Sequence, residues 1–143
     1  MTRAGAQRAW TISQYPEQLA IVRLGPGAEV PAWAESSSIF SITVSASETS
    51  LVCATRSVPR KVPAIRPLTA FMVHGPLDPE LVGVLADLLA PLGEVGIQVF
   101  AQSTFDTDWL LVPAGRAEEA AEMWRRRGHT VAPAVPATPP GRS

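Results

Sequence analysis

The chain has 143 residues, 12 basic and 13 acidic, for a formal charge of −1, with 46% apolar and 17% charged positions. That balance describes a chain able to form a core, and it argues against nucleic-acid or anionic-membrane partners because no net field draws phosphate. No apolar stretch approaches the roughly 20 residues a bilayer span needs, and the arginines of the first eight residues lead into Trp10-Thr11-Ile12-Ser13-Gln14, not the apolar centre of a secretion signal; the expected compartment is the cytoplasm.

In chain order, residues 1–17 read as an extension. Strands follow from β-branched and aromatic enrichment at Leu19 to Leu24, Ile39 to Val44 and Leu51 to Ala54. The lone Cys53 lies in the run Leu51-Val52-Cys53-Ala54, where it serves as a small core residue and rules out an internal disulfide. Between the first two strands, Val30-Pro31-Ala32-Trp33-Ala34 supports a turn or two of helix at most. Arg56 to Pro67 contains Pro59, Pro63 and Pro67, so no helix is expected there.

The strand Leu68 to His74 opens the second half. Asp78 reads as an N-cap with Pro79 at the first helical position, and Leu77 closes on Val82 as a staple. Leu81, Leu85, Leu88 and Leu92 recur at helical spacing, and Pro91 and Gly93 predict an end near Ala90 to Leu92. Strands are expected at Ile97 to Gln102 and Trp109 to Val112. A second helix runs from Arg116 to Arg127, with Ala117, Ala120, Ala121 and Trp124 on one face and Gly128 as its stop. Its early glutamates and late arginines follow the helix dipole, which accounts for Arg125 to Arg127 without a partner. A short strand at His129 to Val131 completes the order strand, helix, strand, strand, helix, strand. That is the split βαβ, ferredoxin-like arrangement of an α+β protein, an antiparallel sheet with both helices on one face. The tail 133–143 holds four prolines with small residues and is expected to be disordered.

The halves look duplicated. Leu19 to Gly25-Pro26 matches Leu68 to Gly75-Pro76, and the turn Ser45 to Ser50 matches Ser103 to Asp108, each leading into a strand. The expected organisation is a trimmed module over 18–66 and a full one over 67–132. About 60 residues bury too little surface for a comfortable margin alone, so the modules should pack together and leave a cleft at their junction.

These residues resemble the bacterial proteins built from tandem ACT-like modules. The resemblance rests on Trp33 with Ser38-Ile39-Phe40-Ser41-Ile42-Thr43, on Glu48-Thr49-Ser50-Leu51-Val52-Cys53, on Gly75-Pro76-Leu77-Asp78, Gly83 and Gly96-Ile97, and above all on Ser103-Thr104-Phe105-Asp106-Thr107-Asp108. It implies an ACT fold and regulation by a small ligand, as in aspartate kinase regulatory modules and cytosolic arginine sensors, where an amino acid sits between two modules. It also implies a homodimer.

The candidate ligand-binding residues are therefore Gly75, Pro76, Leu77 and Asp78, whose N–H groups at a helix start could receive a carboxylate. They also include Thr104, Phe105, Asp106, Thr107 and Asp108, whose carboxylates and hydroxyls suit an ammonium or guanidinium group. By the resemblance, Ser38, Ile39 and Phe40 face that turn. Each has an ordinary alternative: a capped helix, a hairpin turn bonding its own backbone, and a polar loop entering a strand. His74 and His129 have no acidic or cysteine partner at metal spacing. No phosphate loop, dinucleotide fingerprint, nucleophile elbow or zinc motif is present, so neither cofactor nor metal is expected. An amino-acid sensor is the leading reading. An enzyme using the Ser103 to Asp108 turn, or a ligand-free interaction module pairing through a sheet edge, are the alternatives.

Overall fold

The computed structural model describes residues 8–133. Its elements are β1 (Thr11–Gln14), β2 (Leu19–Leu24), β3 (Ser41–Val44), β4 (Thr49–Ala54), β5 (Ala64–Val73), α1 (Val84–Glu94), β6 (Phe100–Ser103), β7 (Asp108–Pro113), α2 (Ala117–Arg126) and β8 (Thr130–Ala132). Short 3₁₀ turns occupy Ala32–Ala34, Thr55–Ser57 and Ala114–Arg116, so the segment around Trp33 forms a single turn. The fold is α+β and ferredoxin-like, as expected. Apart from Pro133, the tail lies outside the described residues.

All eight strands join one sheet, and β5 is its axis. The first part of β5 pairs with β2 (Val22↔Ala64, Leu19↔Leu68), and its second part pairs with β7 (Leu68↔Pro113 to Met72↔Trp109). The expected boundary between residues 66 and 67 thus falls inside one continuous strand. The order is β3-β4-β2-β5 on one side and β6-β7-β5-β1-β8 on the other. Each hairpin therefore lies beside the strand that runs into its Gly-Pro, β2 before Gly25 and β5 before Gly75, and the two hairpins hold equivalent places.

β1 has no counterpart among the strands the sequence predicts, since residues 1–17 read as an extension. It inserts between β5, antiparallel (Ile12↔Val73), and β8, parallel (Ile12↔Val131). Ile12, its only apolar residue, is fully buried. Four residues with one buried side chain carry little local signal, and the pairing partners lie about 60 and 120 residues further along.

α1 and α2 cover one face of the second half, over Ile12, Phe71, Val73, Leu110 and Val112. Trp124 is fully buried, meets Phe71 edge-on at 4.9 Å between ring centres, and donates its indole N–H to the Leu88 carbonyl at 2.8 Å. Burying a side chain of this class contributes roughly 1.5–3 kcal/mol. The first half has no helix: Ala34 and Val58, with Trp33, close over Ala20, Val22, Leu51 and Cys53. Leu19, Leu68, Ala70 and Leu111 share the opposite face, where Tyr15 stands edge-on to Trp109. The sheet curls enough for its far edges to meet, because Gln102 Nε2 on β6 donates to Ser41 Oγ on β3 at 2.6 Å.

The first helix departs from expectation at both ends. Asp78 is not its N-cap: Asp78 Oδ1 accepts the Glu80 N–H at 2.9 Å and the Asp78 carbonyl accepts the Leu81 N–H, so the chain makes a local turn. Gly83, at φ 88°, then interrupts any helical run, and α1 begins at Val84. Val82 is 82% exposed, so the expected staple with Leu77 does not form. Pro91 lies within the helix, whose stop is Gly96 at φ 76°, with the Ile97 N–H reaching back to the Leu92 carbonyl in a Schellman closure. The second helix ends where expected: Gly128 is left-handed and the His129 N–H reaches the Trp124 carbonyl.

Candidate functional site

Two of the three predicted site segments come together. β5 ends at Val73, and the loop that follows lies against the β6–β7 turn. The Leu77 N–H donates to the Asp106 carbonyl at 2.7 Å, and Thr107 Oγ1 donates to the Val73 carbonyl. Gly75 allows this approach, since a Cβ there would lie 2.5 Å from the Asp106 carbonyl oxygen. The turn itself is closed by Thr104, whose N–H reaches the Thr107 carbonyl while its Oγ1 accepts the Thr107 N–H. Ser103 Oγ donates to Asp108 Oδ1 at 2.6 Å, which orients that carboxylate.

Between this turn and α1 opens a cleft of about 550 Å³. The turn from Ser103 to Asp108 lines one side, Leu77, Asp78, Pro79 and Leu81 a second, and the start of α1, Gly83 to Ala86, the third. The carboxylates of Asp78, Asp106 and Asp108 border it, and no lysine, arginine or histidine is among its lining residues. In the same lining, the first N–H groups of α1 have no intrahelical acceptor, and Gly83 supplies no side-chain cap. One wall therefore offers negative charge and another the positive end of a helix. Phe105, 95% exposed, and Leu81 add apolar surface at the rim.

The expected carboxylate site at Gly75 to Asp78 needs correction on this geometry. Pro76 has no N–H, the Leu77 N–H is taken by Asp106, and no helix begins there. The corresponding donors belong to Val84, Leu85 and Ala86, six residues and more along. The sequence signal for them was Gly83, placed inside an apolar run where a helix interior would not hold it.

Ser38, Ile39 and Phe40 do not line the cleft. Ser38 is tied through its N–H and hydroxyl to Glu17, whose other oxygen accepts from Arg56 Nε at 2.9 Å. Burial pushes the Glu17 carboxyl up, but the Ser38 bonds and the Arg56 cation outweigh it and hold the group below its usual value. Phe40 is half-buried against the first half's cluster of Ala20, Val22, Leu51 and Cys53, and Ile39 is half-buried against Leu19, Leu68, Ala70 and Leu111 on the opposite face. Cys53 is buried, which raises its thiol pKa and leaves it unreactive. Among the described residues no group of three or more His, Cys, Asp or Glu could hold a metal, and no helix is long and apolar enough to cross a membrane.

Residues 64–125 match the family profile of the ACT domain, and residues 17–61 match a second profile, that of an N-terminal domain. No curated protein matches the chain. Among solved structures, a protein from Agrobacterium tumefaciens is similar over 92% of this chain and 98% of its own, at 28% identity and a TM-score of 0.84. A protein of unknown function from Vibrio cholerae, described as a possible transport protein, is similar over 83% of this chain and 90% of its own, at 12% identity and a TM-score of 0.69. The regulatory subunit of aspartate kinase from Thermus flavus is similar over 85% of this chain and 99% of its own, at 13% identity and a TM-score of 0.60. At the last two identities the likeness concerns the fold.

Proposed function

Because residues 64–125 of this chain match the ACT domain, we propose that it is a regulatory protein that binds a small ligand, an amino acid, in the cleft between the Ser103–Asp108 turn and the start of α1. One observation carries the reading: Val84 to Ala86 at the start of α1 line the same cleft as the acidic residues Asp78, Asp106 and Asp108. An amino acid presents the complementary pair of charges, its carboxylate to the helix start and its ammonium or cationic side chain to the aspartates. The halves act as tandem ACT-like modules, 18–66 and 67–132, the first trimmed. Equivalent hairpins beside β2 and β5 support that reading. Association into a homodimer belongs to the same proposal, as does a cytoplasmic location.

A ligand of roughly ten heavy atoms binds with a dissociation constant on the order of micromolar to millimolar. At about 100 times that constant, binding stabilises the native state by roughly 2.7 kcal/mol, which raises Tm by several degrees. A thermal-shift screen of the twenty amino acids at millimolar concentration tests this. The expected result is a saturable shift for one or a few of them; twenty flat responses overturn it. A second reading, docking of another protein strand along β3 beyond Ser41, where Gln102 of β6 makes its contact, is favoured by the exposure of Ile42 and Val44 there, 40% and 70%. Flat responses together with a stable pull-down partner would select it.

A further inference from the structure

β1 is held in the middle of the second half's sheet by an unusual first bond. The Trp10 N–H, one residue before the strand, donates to the imidazole Nδ1 of His129 at 3.0 Å, while the Thr130 N–H returns to the Trp10 carbonyl at 3.0 Å. A ring nitrogen that accepts an N–H is unprotonated, so the neutral ring carries its proton on Nε2. Two residues upstream, Arg8 reaches the loop before α1. Its Nη1 donates to the Val82 carbonyl at 2.7 Å, its Nε and Nη2 grip Asp87 Oδ2 at 3.0 and 2.6 Å, and its guanidinium lies over the Trp10 ring at 5.4 Å.

We propose that His129 is an acid-sensitive latch: neutral, its Nδ1 fixes Trp10 and through it sets Arg8 against the loop before α1; protonated, it presents a second donor to the Trp10 N–H and releases both. His129 is 7% exposed. Burial, first of all, holds its pKa below the usual histidine value, and Arg127 at the end of α2 acts the same way. Asp87 on α1 opposes them, though Arg8 neutralises part of that charge. Arg125, the other α2 cation near this strand, is bonded to the Val131 carbonyl. The latched state is therefore the one populated at neutral pH. Released, His129 regains an ordinary pKa, so the open state binds the extra proton. Opening of β1 rises about tenfold per pH unit as the pH falls from the unfolded histidine value towards the lowered folded one. The latch does not depend on the identity of any ligand.

The test is ¹⁵N NMR on the full chain between pH 7.5 and 5, with amide exchange corrected for its intrinsic pH dependence. We expect the Nε2–H tautomer for His129, a Trp10 amide shift that follows the His129 titration, and falling protection of Ile12 and Gln14. His129→Asn, whose amide oxygen can accept the Trp10 N–H without titrating, should keep that protection flat over the same range. An Nδ1–H tautomer in wild type, a Trp10 amide indifferent to the His129 midpoint, or an Asn variant that loses protection as wild type does, would each overturn the latch. The first two readouts need no variant.

Discussion

The Leu77 N–H meets the Asp106 carbonyl oxygen at 2.7 Å, and this bond joins the loop after β5 to the β6–β7 turn. It holds together two segments separated by nearly thirty residues, both of which border the cleft.

Gly75 is the residue that permits the bond, because a Cβ would stand 2.5 Å from the Asp106 oxygen and 3.0 Å from the Leu77 nitrogen, both backbone atoms. Gly75→Ala should destabilise the protein by about 1–3 kcal/mol, the range for forced overpacking. Urea denaturation measures it, and an unchanged midpoint would mean that the loop gives way without cost.

The start of α1 can be probed without touching the core. Ala86 is exposed and lies in the first turn, where proline is tolerated. Ala86→Pro removes one N–H from the cleft and should weaken amino-acid binding about tenfold or more, the worth of a hydrogen bond to a charged group, with little change in Tm of the unliganded protein. Calorimetric titration with the amino acid found in the screen decides it.

Asp108→Ala should remove most of the thermal shift for the same ligand, whereas Arg126→Ala, on an exposed arginine paired with Glu122, should leave it intact. Equal responses from the two variants would take Asp108 out of the site.

Glu17 makes a prediction in acid. Its folded pKa is lowered, so the stability it contributes is present above the unfolded carboxylate value, about 4.3, and is lost as pH falls through the folded one. Below pH 4.5 the Ser36 to Phe40 loop should lose amide protection before α2 does. In Glu17→Gln that acid-dependent step should be absent.

Trp124→Phe should cost about 1–3 kcal/mol, because the smaller ring leaves a void in the core and the indole bond to the Leu88 carbonyl is lost. The change in Tm on thermal melting reports it.

Residue pattern alone determined the class of the fold. The β-branched runs at Leu19 to Leu24 and Trp109 to Val112, the alanine face and charge order of α2, and Gly128 as its stop are local signals, and local energetics decided those elements. The repeated Gly-Pro landmarks and the Thr104 to Asp108 turn were legible for the same reason, since turn chemistry is written in a few adjacent residues. Only the tertiary structure decided the rest. Asp78 and Pro79 carry a sound helix-start signal, yet the Asp78 side chain closes a turn and the Leu77 N–H bonds across space, so α1 waits until Gly83. β1 exists because β5 and β8 offer unpaired edges on both sides of one buried isoleucine. The cleft's donors at Val84 to Ala86, the tie from Ser38 to Glu17 and the meeting of Trp10 with His129 all join residues distant in the chain, and no periodicity or propensity records a pairing made only when the sheet closes.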